Sequence, residues 1–162
     1  MPLTTILVAT DFGDAAAAAV GYALMLAEGF GARVHILHVT DDLGARVLGP
    51  SPLPIDLGQQ QDEIDAAARR QLQTVIGSDP RAGSATSAIV TSGHPAVAIL
   101  DYAQRAQADL IVMGTHGRAG LAEFFMGSVA QQIVRRANCP VVTLRRSPGA
   151  LSGASTPSGA SA

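Results

Sequence analysis

Residues 109–129 open with Asp109-Leu110-Ile111-Val112-Met113 and continue as Gly114-Thr115-His116-Gly117-Arg118-Ala119-Gly120, reaching Gly127-Ser128-Val129. The first five form a short run whose apolar residues do not alternate with polar ones, which suits a strand covered on both faces. A glycine-rich loop follows, and then a helical pattern in which Ala130, Ile133, Val134 and Ala137 fall at offsets 0, 3, 4 and 7. The same unit recurs along the chain. Four further apolar runs lie at Leu3–Ala9, Arg33–Val39, Ala85–Thr91 and Pro140–Leu144. Between them, Asp14–Gly29 is Ala-rich, with Val20, Leu24 and Ala27 on one stripe and Gly29 and Gly31 placed to stop it. Leu57–Gly77 sets Ile64, Ala68, Leu72, Val75 and Ile76 at offsets 0, 4, 8, 11 and 12. Pro95 suits the first position of a helix carrying Val97, Leu100 and Ala103. Alternating strand and helix predicts an α/β fold, a doubly wound, five-stranded parallel sheet with helices on both faces. Such sheets bind ligands beyond the carboxyl ends of their strands, where the winding reverses. That singles out Ala9-Thr10-Asp11 and Met113-Gly114.

A chain of 162 residues folds from about 24,000 Å² of surface to roughly 7,500 Å², enough for one complete core. With 48% hydrophobic, 15% charged and 4% aromatic residues and no Trp, that core is built from Val, Ile, Leu and Ala. A net charge of −2 gives no broad attraction to nucleic acid or to anionic lipid. All 11 basic residues are Arg, so a P-loop lysine is excluded. Cys139 is the sole cysteine, which excludes an internal disulfide and a cysteine zinc site. No apolar stretch approaches the roughly 18 residues of a membrane span, and the first residues lack a signal-peptide pattern, so a cytoplasmic protein is expected. Residues 1–146 form the expected domain and Ser147–Ala162, rich in Ser, Gly, Ala, Pro and Thr, a flexible tail. Thr40–Asp56, with Gly44, Gly49, Pro50, Pro52 and Pro54, cannot be one regular element.

The loop has the spacing Gly114-x2-Gly117-x9-Gly127-Ser128. Glycines let a backbone approach a ligand, and the free N–H groups of a helix N-terminus attract anions, so the segment reads as a phosphate cradle. Ser128 with Gln131 three residues on makes a capping box, which by itself only starts a helix. Gly114, Gly117 and Gly120 exceed what turning one strand into one helix requires. Neither Gly-x-Gly-x-x-Gly nor Gly-x-x-x-x-Gly-Lys occurs, so the ordinary dinucleotide and P-loop fingerprints are absent.

With these segments in view, the chain resembles the universal stress protein family over roughly residues 3–145. The residues that carry the resemblance are Ile6-Leu7-Val8-Ala9-Thr10-Asp11, Val34-His35-Ile36-Leu37-His38-Val39, Asp109 to Gly117, Gly127-Ser128-Val129 and Asn138-Cys139-Pro140-Val141-Val142. The glycine spacing is that of the family's ATP-binding branch. The resemblance implies strand order 3-2-1-4-5, ATP as ligand together with Mg²⁺, and a homodimer. Carried over by position, Thr10 and Asp11 lie near ribose and adenine, beside Ala9, and the Val39 main chain faces the adenine edge. Met113 and Gly114 flank the sugar and first phosphate. His116, Gly117 and Arg118 border the phosphate loop, and Gly127, Ser128 and Val129 hold the terminal phosphates. The family often has Pro at the position of Ala9 and Ser at that of Gly13; the second change removes a cap that Asp14 or Asp11 can replace.

Single residues carry bland readings beside sharp ones. Asp11 can accept from a ribose hydroxyl, approach a phosphate-bound metal, or cap the following helix. His35 and His38, three apart on a strand, point to opposite faces and read as structural. His94 precedes Pro95 as a helix-start residue, and Cys139 reads as a buried, inert thiol. Three functions are compatible with the pattern: a nucleotide-dependent regulator acting on an unknown protein partner, a slow Mg-dependent ATPase using Asp11 and Arg118, or a dimeric module that does not use nucleotide. Val141-Val142-Thr143-Leu144 forms an edge strand in the implied order, and a bare apolar edge invites pairing with a second copy.

Overall fold

The computed structural model describes residues 2–46, 57–83, 86–115 and 126–145. Its five strands are β1 (Thr5–Ala9), β2 (Arg33–Thr40), β3 (Thr86–Ser92), β4 (Leu110–Gly114) and β5 (Val141–Leu144). They form one parallel sheet in the order β3-β2-β1-β4-β5, as the resemblance implied. Five helices connect them: α1 (Asp14–Phe30), α2 (Leu43–Arg46), α3 (Leu57–Gly77), α4 (Pro95–Arg105) and α5 (Ser128–Arg136). β1 is central and all five of its residues are buried. It pairs Ile6 with Val34 on one edge and with Leu110 on the other.

The continuous apolar runs divide residue by residue between two cores. Ile6, Val8, Val34, Ile36, Leu110 and Val112 face α1 and α3, where they meet Ala19, Val20, Ala23, Leu24 and Leu72. Leu7, Ala9, Leu37, Ile111 and Met113 face α4 and α5, where they meet Ile99, Ala103, Ala130 and Ile133. A strand sandwiched in this way has no solvent face, which is why its sequence does not alternate. Alanines on α1 let that helix lie close to the sheet, and Gly31, at φ +68°, ends it in the left-handed conformation. Asp109 secures the chain's first strand, accepting from Thr4 N–H at 2.8 Å, Thr4 Oγ1 at 2.7 Å and Thr5 N–H at 3.0 Å.

Several expectations need correction. Thr40 belongs to β2, and the irregular excursion begins after it with one helical turn, α2; residues 47–56 lie outside the described residues, as do 146–162. Ile64 is 39% exposed and leaves the buried stripe of α3, in which Ala68 and Leu72 are buried. Near its start α3 turns polar groups to the end of β2 and to α2 instead: Asp65 accepts from Thr40 Oγ1 at 2.7 Å, and Gln61 from Leu43 N–H at 3.0 Å. The N-cap position of α1 is held by Gly13, which has no side chain with which to cap it.

The two strand histidines do face opposite layers. His35 Nδ1 lies 3.0 Å from the Tyr102 hydroxyl on α4, and His38 stacks on Phe12 beside α1. Burial, assisted by the Arg33 charge, holds the His35 pKa below its ordinary 6.5. The unfolded chain therefore binds a proton that the folded chain resists. This contribution to stability is complete above pH 6.5 and is lost as pH falls through the lower folded value. Urea unfolding across that range should show stability declining with acid, and the His35→Gln protein should show a shallower decline.

Candidate nucleotide-binding site

The sheet reverses its winding between β1 and β4, and at that point a cavity of about 290 Å³ opens beyond the strand ends. Ala9, Thr10 and Asp11 enter it from the end of β1, Val39 from β2, Met113 and Gly114 from β4, and Gly127, Ser128 and Val129 from the start of α5. These are nine of the twelve residues singled out in the sequence; His116, Gly117 and Arg118 lie outside the described residues. Six more lining residues were not singled out: Leu37, His38, Pro95, Ile99, Thr115 and Ala130. Ala9, Leu37, Ile99, Met113 and Ala130 belong to the core beneath α4 and α5, so the cavity is an opening in that apolar layer.

Its polar groups are concentrated at two places. On the β1 side, Asp11 Oδ1 accepts the Gly13 N–H at 3.0 Å, one residue before the helix. On the β4 side, Thr115 is 4% exposed and joins three elements. Its N–H donates to the Leu144 carbonyl at 2.8 Å, and its carbonyl accepts the Gly127 N–H at 2.7 Å. The start of α5 is thereby fixed to the ends of β4 and β5.

That geometry revises the reading of the loop's ends. Ser128 is the first residue of α5 and Gly127 is its N-cap, so the expected capping box with Ser128 at the N-cap is not formed. With Gly127 N–H committed to Thr115, the N–H groups without a carbonyl partner inside the helix belong to Ser128, Val129 and Ala130. They carry the positive end of the helix dipole to the cavity. Gly114 has a packing reason: a Cβ there would lie 2.9 Å from Ala15 Cβ and 3.0 Å from the Ala15 carbonyl carbon. The absent side chain lets the first turn of α1 rest on the end of β4.

Asp11 is the sole carboxylate among the described lining residues, and none of them is Arg. Among the described residues no group of three or more His, Cys, Asp or Glu side chains gathers as a metal site. Cys139 is half-buried rather than buried, and partial burial with the nearby Asp109 charge pushes its thiol up, which keeps it protonated. His94 holds the N-cap position of α4, ahead of Pro95.

The model of the universal stress protein family matches residues 2–145. The chain belongs to that family. A universal stress protein of Thermus aquaticus is 35% identical over 146 residues, covering 87% of this chain and 98% of the relative. One from Methanocaldococcus jannaschii is 30% identical over 144 residues, covering 87% and 81%. Among solved structures, the universal stress protein UspA from Lactobacillus plantarum is 30% identical with a TM-score of 0.69, covering 90% of this chain and 99% of its own. Two more distant members share the fold at 23% and 24% identity, each with a TM-score of 0.60. One is a universal stress protein in complex with cAMP, covering 90% of this chain and 98% of its own. The other, from Archaeoglobus fulgidus, is in complex with dAMP and covers 89% and 99%. Among the described residues no helix of this universal stress protein is long and apolar enough to cross a membrane.

The two glycines at the ends of the loop should respond differently to a methyl group. Gly114→Ala forces backbone of α1 away from β4 and should cost roughly 1–3 kcal/mol of stability. Gly127 has an ordinary extended conformation, φ −58° and ψ 151°, and among the described residues its added Cβ meets only the Thr115 carbonyl oxygen, at 3.2 Å. Gly127→Ala should therefore unfold at a denaturant concentration much closer to wild type than Gly114→Ala does.

Proposed function

We propose that the cavity binds ATP with Mg²⁺ and that the protein is a nucleotide-dependent regulator of a stress response, belonging to the ATP-binding branch of its family. The convergence of five separate segments on one cavity, apolar on one side and ending at the N-terminus of α5, carries this reading. Its chemistry fits the parts of a nucleotide. Val39 and Ile99 offer an apolar enclosure for adenine, with the Val39 main chain at the base edge. Thr10 and Asp11, beside Ala9, take the ribose; Met113 and Gly114 flank the sugar and first phosphate. Ser128 and Val129 then supply N–H groups, and Ser128 also its hydroxyl, to the terminal phosphates; Gly127 shapes the turn, and His116, Gly117 and Arg118 border the phosphate loop. The adenine nucleotides in the cAMP and dAMP complexes of the fold neighbours support an adenine ligand.

Regulation by occupancy suits this site better than turnover. Phosphoryl transfer draws on a positioned base, metal ligands and a cationic clamp. The described lining supplies one carboxylate and no cation from Lys or Arg. Hydrolysis of bound ATP should be slow, and sustained turnover above about 1 s⁻¹ would contradict a binding protein. Residues 1–146 would act as the nucleotide-binding domain in the cytoplasm, signalling to a protein partner. β5, at one edge of the sheet, would pair with a second copy, and light scattering should return a dimer mass.

Calorimetry with Mg-ATP tests the site. Ser128→Ala removes a hydroxyl bond to a charged phosphate, worth roughly 1.5–3 kcal/mol, and should weaken binding about 10- to 150-fold. Wild-type affinity in that variant would place the phosphates elsewhere.

A further inference from the structure

The turn that brings Thr10 and Asp11 to the cavity holds a conformation that bulky residues rarely adopt. Phe12 lies at φ +65°, in the left-handed region. Its N–H donates to Thr10 Oγ1 at 3.0 Å, while Gly13 N–H donates to Asp11 Oδ1, also at 3.0 Å. These local bonds are backed by β2. The Phe12 ring lies against the His38 imidazole, with centroids 4.3 Å apart and planes inclined by 36°. His38 Nδ1 stands 2.8 Å from the Thr10 carbonyl oxygen. A carbonyl oxygen only accepts, so Nδ1 carries the proton and donates. The Thr10 N–H donates in turn to the Leu37 carbonyl at 2.9 Å. Adjacent residues of β2 thus grip Thr10 at both its N–H and its carbonyl.

We propose that His38 is a positioning residue for the ribose subsite: by holding Thr10 and stacking on Phe12, it sets the turn that aims the Asp11 carboxylate. This rests on the nucleotide-binding reading and extends it to a side chain that need not touch the ligand. The left-handed Phe12 stores conformational strain that an unrestrained turn would release. Released, the turn would swing Asp11 away from the sugar while leaving the α5 terminus in place. The consequence is selective. Loss of His38 should erase recognition of the ribose hydroxyls and spare the rest of the site, whereas a general loss of structure would weaken every ligand alike.

The test compares ATP with 2′,3′-dideoxyATP by calorimetry in the wild-type, His38→Leu and His38→Asn proteins. Wild type should favour ATP by about tenfold or more, the value of one hydrogen bond to a carboxylate. His38→Leu should bring the two ligands to nearly equal affinity. His38→Asn, whose side-chain N–H can reach the place of Nδ1–H, should restore the preference. Amide exchange should show Phe12 and Gly13 losing protection in His38→Leu and regaining it in His38→Asn. Nitrogen NMR of the wild-type imidazole, which depends on no variant's folding, should show the neutral ring protonated at Nδ1. An Nε2–H tautomer, or a His38→Leu protein that keeps the preference for ATP, would overturn this proposal and leave nucleotide binding standing. Absence of ATP binding by the wild-type protein would overturn both readings.

Discussion

Burial of β1 on both faces, with hydrogen-bonded neighbours on both edges, is the constraint from which the other features follow. A strand so enclosed must be apolar throughout, and the chain on either side of it must supply two strands and two helical layers. The winding runs outward to β2 and β3 in one direction and to β4 and β5 in the other. Helices leave the sheet in opposite senses at the point of reversal, and a cavity opens there beyond the strand ends. Backbone groups at the ends of β1, β2 and β4 therefore line an opening, and the polar residues Thr10 and Asp11 emerge where a ligand can meet them.

Two close contacts determine how that opening is framed. At Gly114 the absent side chain admits α1, so the first turn of that helix abuts the end of β4. At Thr115 the backbone is engaged in both directions, by Leu144 and by Gly127, which fixes the origin of α5. The result is a division of labour across the cavity. A carboxylate stands on the β1 side and a helix N-terminus on the β4 side, so an anionic group is drawn toward α5 and repelled from Asp11. A ligand with a neutral polar sugar and a charged tail has one favourable orientation in such a field.

Much of this was legible in the residues, for identifiable reasons. The runs around Ile6-Leu7-Val8 and Leu110-Ile111-Val112 reveal doubly covered strands because their burial is set locally, by lying in the sheet's centre. The strand order, by contrast, came from the family resemblance, since apolar runs carry no record of their neighbours. The loop glycines marked the site, but their physical roles did not follow from spacing. Gly114 answers to Ala15, almost a hundred positions earlier, and the Gly127 N–H answers to Thr115, so Ser128 begins the helix where a capping box suggested it would precede it. His38 reads as structural and does hold the turn, although nothing in its own strand shows that its ring crosses to the Thr10 carbonyl. Ile64 departed from its stripe because Asp65 and Gln61 turn that end of α3 toward Thr40 and Leu43. Local patterns report burial; contacts between distant segments decide what each side chain does with it.

The central claim is that one nucleotide sits across the strand ends with its phosphates at α5. Amide NMR of the isotopically labelled protein, titrated with Mg-ATP, tests it most directly. Saturable shifts at Thr10, Val39, Ser128 and Val129 together, with β3 and the outer face of α3 unperturbed, are the predicted result. No shift at millimolar ATP, or shifts confined to residues away from the cavity, would contradict the account.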